Sequence, residues 1–224
     1  MHADRLAPLP SLRNLLTFLV MAALLPLLAG CGYNTIPTAE ENAKAAWSEV
    51  LNQYQRRADL IPNLVETVKG YAAHEKGTLE AVVEARSKAT QVTVSPETLS
   101  DPEAFKKFQD AQSGLTGALS RLLAITENYP DLKANQNFLA LQAQLEGTEN
   151  RIAVARRDYI QAVKDYNLTL RTFPSVLWAT LWFRSNQPFQ NFTVAEDKME
   201  PPKVDFGGGN TSGGTTTGGS GQGG

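Results

Sequence analysis

Six large side chains recur at intervals of seven along one stretch of this chain: Phe138, Leu145, Ile152, Tyr159, Tyr166 and Phe173. The other positions of the same seam, Leu141, Thr148, Ala155, Ala162 and Thr169, are mostly small. A seven-residue spacing is a repeat of 3.5, and a helix of 3.6 residues per turn keeps it on one side only by supercoiling left-handedly around a neighbour. Large residues alternating with small ones let facing layers interdigitate. The stretch must be a long helix with a near-parallel partner, and Pro174 places its end at Phe173.

A partner seam lies earlier. Steps of four and three from Ala43 reach Trp47, Val50, Tyr54, Arg57, Ile61, Leu64, Val68 and Tyr71, with Leu51, Ala58, Val65 and Ala72 widening the stripe. Three apolar positions in seven suit a helix inside a bundle. Pro62 interrupts this seam. A proline within a helix removes one backbone hydrogen bond and crowds the carbonyl four residues back, at a cost of ~3 kcal/mol. The register nevertheless passes through Pro62 unbroken. The spacing therefore predicts one continuous helix, kinked at Pro62 and fading near Ala89; the alternative is a local restart capped by Asp59.

Between the two seams, "SDPE" at 100–103 has the form of a capped helix start with proline in its first turn. Phe105, Phe108, Leu115, Leu119 and Leu122 supply an apolar face, and "NYPD" at 128–131 ends the helix. Gly114 and Gly117 either permit close helix approach or simply weaken this helix. The three helices would measure ~75, ~40 and ~60 Å. The expected fold is all-α: an elongated antiparallel bundle of three long helices, the first kinked near Pro62, plus a short C-terminal helix.

The ends of the chain carry different signals. Arg5 and Arg13 precede the apolar run Leu15–Gly30, the plan of a secretory signal. Its sixteen residues would span ~24 Å as a helix, short of a ~30 Å hydrocarbon core. The run closes in "LAGC", similar to the bacterial lipoprotein box, so Cys31, the only cysteine, is the expected lipidation residue and membrane attachment. Gly32 follows it where an inner-membrane retention signal would place Asp, which favours the periplasmic side of an outer membrane. The alternatives are lipid attachment to the inner membrane or a retained single-pass anchor. Residues 31–42 are read as a tether, 43–192 as the bundle with its aromatic C-terminal segment, 193–206 as a polar extension and 207–224 as a disordered Gly/Ser/Thr-rich tail.

Chemistry is scarce. Loss of the first thirty residues takes the net charge from −2 to −3, leaving no basic footprint for nucleic acid. It also leaves one histidine, His74, and Tyr71 stands where a Glu-x-x-His di-iron motif would need glutamate. Clustered Cys and His for zinc are lacking. No cofactor, metal or catalytic residue is expected. The polar residues on or beside the seams are instead structural candidates: Arg57, Glu149 and Arg156, together with Pro62. Arg57 either pairs with Glu149 or another acid of the third helix and sets register, or snorkels to solvent. Trp178, Trp182 and Phe183 form a candidate contact patch toward membrane or partner; the other reading is a short helix that caps the bundle.

Several motifs together carry a resemblance: "YN" at 33–34, "RRADLIPNLVETVKGYAAHE" at 56–75, "YPDLKANQNFLALQAQLEGTENRIAVARRDY" at 129–159 and "YNLTLRTFP" at 166–174. From Tyr33 to about Phe183 the chain resembles the LemA family. The resemblance implies a helical, membrane-attached envelope protein with no established catalytic activity. It also implies association with a TPM-domain envelope protein or an HtpX-like membrane protease. The family usually keeps an N-terminal transmembrane helix, whereas this sequence offers a lipoprotein box. The expectation is a lipid-anchored, non-enzymatic scaffold or adaptor. A self-assembling homo-oligomeric channel or ring, and a cell-wall-turnover enzyme with a carboxylate site, are the alternatives.

Overall fold

The structure, a computed structural model, describes residues 33–192 together with Arg13, Leu16, Thr17, Leu19 and Val20 of the N-terminal segment. Cys31, the rest of the expected signal, the polar extension and the Gly-rich tail lie outside the described residues. The chain forms α1 (Thr35–Lys69), α2 (Lys76–Gln91), a 3-10 turn at Pro96–Thr98, α3 (Pro102–Thr126), α4 (Pro130–Lys133), α5 (Gln136–Thr169) and α6 (Ser175–Leu181). Among the described residues there is no strand, and no helix is long and apolar enough to cross a membrane.

The all-α antiparallel bundle expected from the spacing is the fold observed, with four principal helices where the sequence suggested three. α1, α2, α3 and α5 run alternately up and down. α1 lies along α5 on one side and α2 on the other, and α2 lies along α3. The seam residues of α1 from Ala43 to Val68 are buried, as are Phe105, Phe108, Leu115, Leu119 and Leu122 of α3. Phe138, Leu145, Ile152, Tyr159 and Tyr166 of α5 are buried too. The seven-residue pattern therefore marked the interior correctly over most of its length.

Three boundaries differ from the expectation. First, the tether read over 31–42 is helical from Thr35. Pro37 sits in the first turn, where its missing N–H would have had no intrahelical partner, and Ile36 is fully buried. Second, the helix does not continue to Ala89. α1 runs through Pro62 and ends at Lys69; residues 70–75 reverse the chain, and α2 returns antiparallel beside it. Tyr71, the expected last seam residue, is consequently exposed. The pattern misled because α2 has its own apolar face, with Leu79, Val82 and Ala89 buried. Third, α5 stops at Thr169, one turn before Phe173, and Phe173 is 79% exposed. At α3 the cap is Asp101, whose carboxylate accepts from the backbone N–H of Glu103 (2.8 Å) and Ala104 (3.2 Å). A methyl added at Gly114 or Gly117 would meet nothing within 4 Å, so close helix approach does not explain these glycines.

The reversal at 70–75 explains how α1 tolerates its proline. Without an N–H at residue 62, the carbonyl of Ala58 has no intrahelical partner, and Ala58 is buried. Arg86 of α2 donates its Nε–H to that carbonyl at 2.8 Å. The returning helix thus restores the bond that the proline removes. Arg86→Ala should therefore cost about 1.5 kcal/mol, the scale of a hydrogen bond from a charged donor. In a Pro62→Ala background, where the backbone supplies the N–H, it should cost about 1 kcal/mol less. Urea unfolding of the four proteins measures this coupling, and a coupling of zero would show that Arg86 does not compensate for the proline.

Candidate functional site

The interior is apolar at both ends and polar in the middle. One cluster gathers Trp47, Tyr54, Phe105, Phe108 and Tyr159; the other gathers Ile61, Leu64, Leu115, Leu122 and Phe138. Between them lies a layer built around Arg57. Position 57 falls on the seam between Tyr54 and Ile61, so the helical repeat itself aims this side chain at the bundle axis. Arg57 is 1% exposed and, among the described residues, is the one buried charge.

Its guanidinium reaches two other helices. Nη1 donates to Glu149 Oε1 of α5 at 2.8 Å and to Thr116 Oγ1 of α3 at 3.0 Å. Nη2 donates to Gln112 Oε1 of α3 at 2.7 Å. Gln112, itself buried, then donates from Nε2 to the Ala89 carbonyl of α2 at 3.1 Å. One side chain of α1 is thereby linked to α2, α3 and α5. The guanidinium also lies 5.0 Å from the centre of the Tyr54 ring, a cation–π distance. Burial is the main cause that pushes the Tyr54 phenol above its ordinary value; Arg156 and Arg57 work against it. Nε of Arg57 is buried without a partner.

The remaining candidates fall elsewhere. Glu149 lies at the edge of the layer with its side chain 44% exposed. Arg156 takes no part in the ion pair; its guanidinium lies 4.2 Å over the Phe192 ring. Pro62 lies one helical turn above Arg57 and acts through the Ala58 carbonyl. Gln112 and Thr116 were not legible in the sequence, because a neutral polar residue on a helix face does not announce a buried partner; nor was Arg86, because an arginine on a helix reads as solvated until its distant acceptor, the Ala58 carbonyl, is known. The only such signal was Gln112 itself, on the apolar face between Phe108 and Leu115.

Beyond α5 the chain turns at Pro174 and doubles back. Asn167 clamps Phe189, donating to its carbonyl at 3.0 Å and accepting from its N–H at 2.9 Å. The Tyr159 and Tyr166 hydroxyls donate to the carbonyls of Gln190 (2.8 Å) and Gln187 (3.3 Å), and Gln190 N–H donates to the Leu99 carbonyl at 2.8 Å. Residues 187–192 therefore form a strap over the lower core. Burial pushes both phenols up, Tyr166 to about 12 and Tyr159 further. An unfolded tyrosine ionises near pH 10. The neutral phenols thus contribute stability that is fully present below about pH 10 and is lost as the pH rises through about 12. The urea midpoint should fall over that range, and should fall less in Tyr166→Phe. Equal falls in the two proteins would exclude Tyr166 as a cause.

The aromatic candidates divide between inside and outside. Trp178 and Phe183 are half-buried and pack against Tyr33, with ring centres 5.6 and 5.4 Å away, and the Trp178 ring also lies 5.2 Å from that of Trp182. Trp182 is 63% exposed, and Phe173, Leu177 and Leu181 are exposed with it. The expected three-residue patch therefore has one exposed member and two half-buried ones, with three other apolar side chains completing the outer face.

Among the described residues no three His, Cys, Asp or Glu side chains are grouped to hold a metal ion. Asp158 and Asp165 do line one open hollow between α1 and α5, but both lie on exposed turns of α5.

These features define an up-and-down helical bundle held by a central polar layer. The chain belongs to the LemA family, whose model matches residues 46–206. It is 28% identical over 189 residues to Magnetosome protein MamQ 2 of Paramagnetospirillum magneticum, covering 77% of this chain and 66% of that protein. Magnetosome protein MamQ of Magnetospirillum gryphiswaldense is 27% identical over 158 residues, 63% of this chain and 58% of the relative. Protein LemA of Metamycoplasma hominis is 29% identical over 119 residues, 53% of this chain and 50% of the relative. The chain thus spans between half and two thirds of the relatives it matches.

Proposed function

We propose that this protein is a non-enzymatic, membrane-anchored scaffold or adaptor of the cell envelope. The observation that carries the reading is how the polar layer is used. The buried guanidinium, Gln112 and Thr116 bond to one another, to Glu149 and to the Ala89 carbonyl, so the charged interior is occupied in joining helices. An apolar group is also left uncovered at one end of the bundle. That pattern suits a protein that holds or presents something rather than one that transforms it. The rival carboxylate enzyme would need an acid shielded from water to raise its pKa, whereas Asp158 and Asp165 are solvent-facing.

Anchoring is assigned to the apolar run Leu15–Gly30 and the "LAGC" box, with acyl chains on Cys31. Intact mass of the protein extracted from membranes tests this; an unmodified Cys31 would remove the lipoprotein reading. Partners of the adaptor, by family resemblance, are a TPM-domain envelope protein or an HtpX-like membrane protease. The test is crosslinking in native membranes followed by purification of the tagged full chain and mass spectrometry. A reproducible foreign envelope protein supports the adaptor. Recovery of this chain alone, crosslinked in multiples, replaces it with the self-assembling reading.

A further inference from the structure

The outer face of the C-terminal turn lies beside the point where the chain leaves its N-terminal apolar run. Tyr33 packs edge-on against Trp178 (interplanar angle 89°) and lies against Phe183. Tyr33 is two residues past Cys31, at most ~7 Å of extended chain. Whether acyl chains on Cys31 or the apolar run itself enters a bilayer, the entry point is tied to α6.

The exposed face of that same turn has the composition of a membrane-interface surface. Phe173, Leu177 and Leu181 follow at intervals of four, and Trp182 adjoins them; they are 79, 51, 59 and 63% exposed. No charged residue falls between Phe173 and Phe183, and the segment is bracketed by Arg171 and Arg184, both exposed. No aspartate or glutamate occurs from Tyr166 to Ala195. Large apolar side chains with tryptophan favour the headgroup boundary, and flanking arginines extend to anionic headgroups.

From this placement we infer that Phe173, Leu177, Leu181 and Trp182 insert into the lipid surface as a second foot beside the N-terminal anchor. The bundle then rests on its α6 end, and the turn at residues 70–75 and α4 face away from the membrane. The inference rests on the membrane-anchored reading above.

The test uses the full chain purified from membranes and reconstituted into phosphatidylethanolamine–phosphatidylglycerol vesicles that contain lipid with brominated acyl chains. Trp47 is fully buried and out of reach of the quencher, and the half-buried Trp178, 5.2 Å from Trp182, is replaced by phenylalanine in every protein compared. Tryptophan emission should be quenched by the brominated lipid, and Trp182→Phe should lose most of that quenching while its circular dichroism is unchanged. Leu177→Glu with Leu181→Glu should lose it too, while the protein still floats with the vesicles. If the chain floats but Trp182 is quenched by aqueous iodide and not by lipid, the second foot is overturned and the anchor stands. If Trp182 is shielded from both quenchers, protein covers the face, from a second copy or from this chain, and the inference is again overturned. A chain that does not float at all overturns the anchored reading, and this inference falls with it.

Discussion

Trp47→Ala is expected to lower the unfolding free energy by about 3–5 kcal/mol, the range for deleting a buried aromatic side chain. Trp47 has no exposed surface. Its ring centre lies 5.0 Å from Tyr159, 5.2 Å from Phe108, 5.5 Å from Phe105 and 6.1 Å from Phe192. Truncation therefore opens a cavity against α3, α5 and the C-terminal strap at once. The indole Nε1 also donates to the Val94 carbonyl at 2.8 Å, which secures the connection between α2 and α3. Trp47→Phe separates the two contributions: it keeps most of the apolar contact and forfeits the hydrogen bond, and should cost about 1–2 kcal/mol. Urea denaturation with linear extrapolation measures both. A loss below about 1 kcal/mol for the alanine variant would mean that the lower core repacks around the gap.

Arg57→Ala should cost about 3 kcal/mol, through a cavity at the bundle axis and the orphaned oxygen of buried Gln112. Glu149→Gln should cost much less, about 0.5–1 kcal/mol, because its carboxylate is 44% exposed and water replaces the lost partner. The asymmetry is the diagnostic. If Glu149→Gln matches Arg57→Ala, the ion pair itself holds the layer; the geometry assigns the larger share to the bonds with α3. Arg57→Met is the third member of the series. Apolar replacement of a buried charge is often neutral in other proteins, yet here it leaves Gln112 Oε1 without a donor. A methionine variant as stable as the wild type would restrict Arg57 to choosing register rather than adding stability.

Much of this was visible in the residues. A repeat of seven is a property of the chain that survives any tertiary arrangement, so α1, α3 and α5 and their buried faces followed from spacing. The Arg57–Glu149 contact was also within reach, because a charge on a seam needs a partner and the third helix carries acids beside its own seam. The reversal at residues 70–75 was not. Its turn contains no proline, and the apolar rhythm of α1 runs on into α2 closely enough to hide the break. Periodicity reports which face is buried, not whether the next helix continues or returns.

The division follows from the range of the forces involved. Burial pattern, the Asp101 cap and the proline in α1 depend on residues within one or two turns, so the sequence alone determined an all-α antiparallel bundle and most of its core. The number of principal helices, the bond from Arg86 to the carbonyl that Pro62 leaves free, and the linking of helices through Arg57 and Gln112 join residues 23 to 92 positions apart. The partial burial of Trp178 and Phe183 beside an exposed Trp182 spans further still, since it depends on Tyr33 arriving from the other end of the chain. Only the tertiary structure decided these, because a hydrogen bond or a ring contact acts over a few ångströms and nothing in a local pattern states which distant residue will arrive within them.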